Sequence, residues 1–217
     1  MRILLLGNTG QLGWELERTL SPLGELHALD YPEINLANAR LMRELLGNLK
    51  PQVIVNATAY TAVDRAESER ELAMAVNRDG VGLLAEQALR LRAVLIHYST
   101  DYVFDGAKGS PYEETYEPRP LNVYAESKLA GEKAVQQVGG SYLILRTSWV
   151  YSLRRDSFVT KVLAWGRQQQ RLRLVADQIS NPTWCRMLAE ISAQLLAKAG
   201  KDVYPWMEAR KGVYHLA

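Results

Sequence analysis

One cysteine, Cys185, stands in 217 residues, so the chain has no internal disulfide and relies on packing for its stability. Such usage suits a reducing, cytoplasmic setting. An excess of charge of one sign is also lacking: 26 basic against 24 acidic residues leave +2, without a run of like charges. That balance offers nothing to a nucleic acid or an anionic membrane, and any anionic ligand must be met by local groups. Long apolar runs are missing. Only four apolar residues separate Arg2 from Gly7, too few for the apolar region of a signal peptide, and no stretch approaches the ~20 residues of a membrane-spanning helix. There are no internal repeats or low-complexity tracts. His27, His97 and His215 lack metal-ligand spacing and no catalytic-triad signature accompanies them, which predicts structural histidines. What remains is the composition of an ordinary globular protein, 47% hydrophobic and 23% charged. At this length folding buries roughly 70% of the surface of the unfolded chain, enough for a sizeable core.

The apolar residues fall into short continuous runs, as in strands buried on both faces: Arg2 to Leu6, Leu26 to Leu29, Val53 to Val55, Ala93 to Ile96, Tyr142 to Leu145 and Leu172 to Val175. Helical spacing separates them, at Leu12, Leu16 and Leu20, then around Arg40 to Leu49, then from about Ser68 to Arg92, where Gly80 and Gly82 weaken it. This alternation predicts an α/β fold, a Rossmann-like, doubly wound parallel sheet with right-handed crossovers, binding its ligand at the carboxyl ends of the strands. Asp105 to Pro120, rich in Pro and Gly, reads as one long surface loop. After about residue 150 Arg and Gln become frequent, which marks a second, smaller lobe: residues 1–150 form a nucleotide-binding domain, and 151–217 a substrate lobe interleaved with the last strands.

Gly7-Asn8-Thr9-Gly10-Gln11-Leu12-Gly13 joins the first strand to the first helix. Glycine there allows positive φ and close approach of a pyrophosphate, and the helix N-terminus offers free amides. Asp30 follows Gly10 by 20 residues, at the end of the next strand, where a carboxylate hydrogen-bonds ribose hydroxyls and repels a 2′-phosphate. The bland alternatives are a plain strand-to-helix turn and a turn-forming aspartate. Gly7, Thr9, Gly10, Gln11, Leu12, Gly13 and Asp30 are therefore candidate contacts for a dinucleotide, NADH or NADPH, with Asp30 leaning towards NADH.

Tyr124 and Lys128 lie one helical turn apart in a segment of good helix formers after Pro120. A phenol titrates at about 10, and a neighbouring ammonium lowers that, so a tyrosine so placed can donate a proton to a ketone as hydride arrives. Alone, Tyr-x-x-x-Lys is common by chance. Here Ser99 and Thr100 end the fourth strand and bring two hydroxyls to the same end of the sheet.

The glycine spacing, Ser99-Thr100 and the Tyr-x-x-x-Lys segment together resemble the extended short-chain dehydrogenase/reductase superfamily. Gly7 to Leu16, Val55 to Asp64, Tyr98 to Phe104 and Arg146-Thr147-Ser148-Trp149-Val150-Tyr151 narrow the resemblance to the dTDP-4-dehydrorhamnose reductases. It implies reduction of the 4-keto group of dTDP-4-dehydro-L-rhamnose, the last step towards dTDP-L-rhamnose for bacterial surface polysaccharides. It makes Tyr124 the proton donor, Lys128 the group that holds the nicotinamide ribose and lowers the phenol pKa, and Thr100 their assistant. Thr100, Asp101 and Trp149 would touch the sugar nucleotide. Asp30, Asn35 and Leu36 would flank the adenosine, Asn35 standing where many relatives carry an acid; Ala59, Tyr60 and Thr61 would line the cofactor cleft, and the Pro182-Thr183 turn the substrate lobe. A homodimer and a magnesium ion go with some members of the family, but no residue here places either. Family members continue beyond the position of Ala217, so part of the substrate lobe is expected to be missing from this sequence. Two alternatives stay open, a sugar-nucleotide epimerase or dehydratase and a cofactor-binding regulatory subunit without turnover.

Overall fold

A computed structural model describes residues 1–217. Strands β1 (Arg2–Leu6), β2 (Glu25–Leu29), β3 (Val53–Asn56), β4 (Val94–Thr100), β5 (Tyr142–Thr147) and a further strand at Gly212–His215 form one sheet. All neighbours are parallel, in the order β2-β1-β3-β4-β5-β(212–215). Side chains along a strand alternate between faces, so a strand covered on both sides must be apolar throughout. β1 shows this directly. Ile3 and Leu5 enter one core with Leu16, Val55, Ile96 and Leu145, whereas Leu4 and Leu6 enter the other with Met42, Ile54, Leu84, Leu95 and Ile144.

Helix α1 (Gln11–Leu20) covers the first face with Leu12, Leu16 and Leu20, while α2 (Ala39–Leu49) covers the second with Met42 and Leu46. The helical reading of 68–92 resolves into α3 (Val63–Ala66), α4 (Arg70–Met74), a π-helical turn at Ala75–Gly80 and α5 (Val81–Leu91). The wide turn buries Asn77, which donates to the Tyr60 carbonyl and the Ser127 hydroxyl and accepts from the Tyr60 amide. Helix α6 (Val123–Val138) starts where the Asn122 side chain accepts from the Ala125 amide at 2.8 Å. The interval 105–120 contains no helix or strand, as the loop reading predicts.

The region after residue 150 departs from expectation. Leu172 to Val175 form no strand: Leu174 and Val175 are exposed and no strand pairs with them. The segment instead carries α7 (Phe158–Gln168), opened by a Ser157–Thr160 capping box and with no residue buried. A two-residue pair, β6 (Val150–Tyr151) with β7 (Thr183–Trp184), closes its base. The chain then returns to the main body. Helix α8 (Cys185–Ala199) puts Cys185, Leu188, Ala189 and Leu196 into the first core, α9 (Val203–Glu208) follows, and Gly212–His215 becomes β8, paired with β5.

β1 leads through α1 to β2 on one side, and β2 leads through α2 to β3 on the other. The crevice at this reversal opens above the carboxyl ends of the strands. Close packing of α1 makes it narrow: a Cβ on Gly13 would lie 1.9 Å from the Gly7 carbonyl oxygen. Gly13→Ala should therefore lower the free energy of unfolding in urea by about 2–3 kcal/mol, and an unchanged midpoint would show that α1 does not sit this close.

Candidate active site

A cleft of about 770 Å³ crosses the strand ends. Its first wall is the glycine turn. Gly7 takes φ +88°, with room for a Cβ blocked by Thr58 at 2.9 Å, and its amide donates to the Leu29 carbonyl. Gly10 is the N-cap of α1 and supplies no side-chain cap, which leaves the first amides of that helix free. Free amides at the end of a ten-residue helix suit a diphosphate. Asp30 closes this end: its carboxylate accepts from the Thr9 amide at 3.0 Å, the Thr9 hydroxyl at 2.5 Å and the Tyr31 amide at 2.8 Å. The aspartate thus holds the turn in shape while lining the cleft.

Gly7, Thr9, Gly10, Gln11, Leu12, Asp30, Ala59, Thr61, Thr100, Asp101, Tyr124, Lys128 and Trp149 all line this one cleft, although they come from segments far apart in the chain. Four expected contacts lie elsewhere. Gly13 is buried in the α1 packing just described. Leu36 sits in the second core, and the Asn35 side chain accepts from the Ala37 amide, so neither borders the cleft. Tyr60 points away and donates its hydroxyl to Glu69 at 2.7 Å. The bend between Asp30 and α2 carries Asn35 and Leu36 off the strand ends.

Over the ends of β4 and β5 the chemistry changes. Thr100 accepts from the Tyr102 amide at 3.2 Å, and Asp101 accepts from Ser180 at 2.6 Å, which ties the segment after α7 to the cleft. Tyr124 meets the Tyr102 ring edge to face at 5.9 Å. Lys128 is buried on the same face of α6 and donates to the Tyr98 carbonyl at 2.7 Å, 3.4 Å from His97 Nε2. Burial holds His97 uncharged, with Lys128 adding to the effect.

The titration of the pair differs from the simple expectation. Burial pushes the Tyr124 phenol up to about 12, opposed in part by the Thr100 hydroxyl, so the free protein does not hold it lowered by Lys128. Burial also draws Lys128 down to about 8, with Glu132 acting the other way. Each group is driven towards its neutral form.

Beneath Lys128 lies a network that sequence reading missed. Glu132, one turn further along α6, accepts from Ser99 Oγ at 2.5 Å and is bidentate with Arg146, with Arg146 Nη2 at 2.6 Å. Two other missed contacts seat the cleft wall. Gln11 Oε1 accepts from the Ser152 amide at 3.1 Å, and Trp149 takes φ +37°, rare for a side chain of this size, with its ring 4.9 Å from Phe158. Long-range pairs of this kind leave no local pattern in a sequence. No cluster of three or more His, Cys, Asp or Glu side chains could hold a metal ion, and no helix is long and apolar enough to cross a membrane.

The family model described as the RmlD substrate binding domain matches residues 1–217. The chain belongs to that family. As a member of the RmlD family it is 43% identical over 216 residues to a dTDP-4-dehydrorhamnose reductase of Burkholderia thailandensis, covering all of this chain and 72% of that one. The Escherichia coli K12 dTDP-4-dehydrorhamnose reductase is 43% identical over 222 residues, with the same shares. Among solved structures, the dTDP-4-dehydrorhamnose reductase of Bacillus anthracis in complex with NADP superposes with a TM-score of 0.88 at 33% identity, over 100% of this chain and 74% of that one.

Charge on Lys128 has a predictable effect on this RmlD-family fold. Its pKa falls from 10.5 to about 8 on folding, so between those values the unfolded chain holds more protons and stability rises with pH. The stability of the natural chain relative to Lys128→Met should rise by on the order of 3 kcal/mol from below pH 8 to above 10.5, measured by denaturant unfolding. A flat difference would mean that the ammonium is solvated.

Proposed function

We propose that this chain is an oxidoreductase that uses NADH or NADPH to reduce the 4-keto group of dTDP-4-dehydro-L-rhamnose to dTDP-L-rhamnose. The observation that carries the reading is the convergence of Thr100, Tyr124 and Lys128 at one end of a cleft whose other end is an open glycine turn. The names of the relatives supply the substrate class, a sugar nucleotide.

The residues present fit a dinucleotide. Gly7 and Gly10 line the cleft beside the uncapped first turn of α1, and Gly13 lets that helix pack against Gly7, where a Cβ would lie 1.9 Å from its carbonyl oxygen. Gly10, Gln11 and Leu12 would hold the diphosphate and Asp30 the adenosine ribose, while Ala59 and Thr61 border the middle of the cleft. The reduced nicotinamide, when bound, supplies the hydride that turns the C4 ketone into an alcohol. Tyr124 donates its hydroxyl proton to the ketone oxygen as that oxygen gains charge. A phenol raised to about 12 is fully protonated near neutrality, the correct state for a donor. Lys128, held by the Tyr98 carbonyl, would present its remaining protons to the ribose and stabilise the phenolate left behind. Thr100 orients the phenol and the ketone oxygen. Trp149 and Asp101 line the same cleft and would meet the sugar, since an aromatic face suits the apolar side of a sugar ring. We assign residues 1–150 to cofactor binding and the part of 151–217 around α7 to the substrate lobe, with α8, α9 and β8 returning to the sheet. A cytoplasmic location goes with this reading, and a homodimer is compatible with it.

Net consumption of NAD(P)H in proportion to keto sugar distinguishes a reductase from an epimerase or dehydratase, which would recycle the cofactor, and from a regulatory subunit, which would bind it without turnover. Tyr124→Phe should reduce turnover by at least about 100-fold and leave cofactor affinity near that of the natural chain; comparable turnover would remove the assignment of the acid. Asp30→Ala should raise the affinity for NADPH relative to NADH, because the 2′-phosphate no longer meets a carboxylate. An unchanged ratio in titrations with both cofactors would place Asp30 away from the ribose.

A further inference from the structure

Among the buried side chains one polar atom has no hydrogen-bond partner, the hydroxyl of Thr147. The residue is 8% exposed, ends β5 beside Thr100 of β4, and lines the cleft. A buried hydroxyl without a partner destabilises a fold, and valine would fill the same space without that cost. Its partner is therefore to be sought outside the chain, in what the cleft receives.

Position selects the partner. Asp30 and the glycine turn take the adenosine and diphosphate half of a dinucleotide, so its other half must extend over β4 and β5, where Thr147 lies at the floor. A sugar nucleotide approaches from the side of Trp149 and Asp101, which Ser180 ties to the segment after α7. The group that would reach deepest there is the nicotinamide ring. Its carboxamide offers both a donor and an acceptor, and a hydroxyl can answer either.

We infer that Thr147 is a cofactor-positioning residue: its hydroxyl hydrogen-bonds the nicotinamide carboxamide and fixes which face of the ring is turned to the ketone beside Tyr124. The inference rests on the reductase reading. A held carboxamide would favour one orientation of the ring, and that orientation selects which of its two C4 hydrogens is turned to the ketone.

Two variants of the full chain, Thr147→Val and Thr147→Ser, test this with two probes, NADPH and 2′-phospho-ADP-ribose, which lacks the nicotinamide. Calorimetric titration should show Thr147→Val binding NADPH about tenfold more weakly and 2′-phospho-ADP-ribose as the natural chain does. Thr147→Ser, which keeps the hydroxyl, should stay within about twofold of the natural chain for both. The melting temperature of ligand-free Thr147→Val should equal or exceed that of the natural chain, an outcome that a merely structural hydroxyl would not give. Unchanged NADPH affinity in Thr147→Val, equal losses for both probes, or a lower melting temperature would each overturn the inference. If the natural chain itself does not distinguish the two probes, the nicotinamide does not dock and the reductase reading fails as well.

Discussion

A carboxylate and a guanidinium, Glu132 and Arg146, face each other where their side chains are 1% and 5% exposed. Taking two charges out of water costs several kcal/mol for each, and only good geometry with further hydrogen bonds offsets this. Both conditions are met: the pair is bidentate and Ser99 donates to the same carboxylate. The three residues belong to α6, β5 and β4, the elements that also carry Tyr124 and Lys128, Thr147 and Thr100. Losing one member would strand the other, at a cost of about 3–5 kcal/mol. The relative positions of the groups around the ketone are thus set by a network lying beneath the cleft rather than in it. The ring of Phe104, 5.1 Å from the Arg146 guanidinium, extends the network to the loop that leads into α6.

Burial governs the titration of the cleft floor as well. It lowers Lys128 and raises Tyr124 and Asp101, since desolvation disfavours whichever form is charged. The shifts of cation and acids are opposite in sign but have one cause, the loss of water around the charged form. A proton donor benefits from this, because it must hold its proton until negative charge develops on the oxygen it serves. Lys128 then matters most after the transfer, when its charge faces a phenolate instead of a phenol.

Much of the cleft was legible in advance because its chemistry is local. Gly7 to Gly13 compress a turn, a close packing contact and a helix start into seven residues, and Tyr124 and Lys128 need only one turn of helix to share a face. The strands were legible for a related reason: a parallel sheet covered on both faces demands unbroken apolar runs, and β1, β3 and β4 show them. Leu172 to Val175 has the same pattern and forms no strand, since pairing needs a neighbour that the pattern does not specify. Asn35 and Leu36 follow a strand end as Asp30 does, but the chain bends away and packs Leu36 into the core. Helices α7 and α8 escaped notice. The first buries nothing, and the second alternates small and large apolar residues whose face is defined by α1, far away in sequence.

By itself the sequence determined the first five strands of the sheet, where a phosphate could meet a helix, and which tyrosine has a lysine one turn away, because each depends on residues within a few positions of one another. Only the tertiary structure decided that Ser99, Glu132 and Arg146 join, that Gln11 reaches Ser152, and that Thr147 keeps a hydroxyl without a partner at the floor of the cleft. Those depend on the sheet order and on how far each strand projects at its carboxyl end. Burial and pairing arise between segments, and no single segment encodes them.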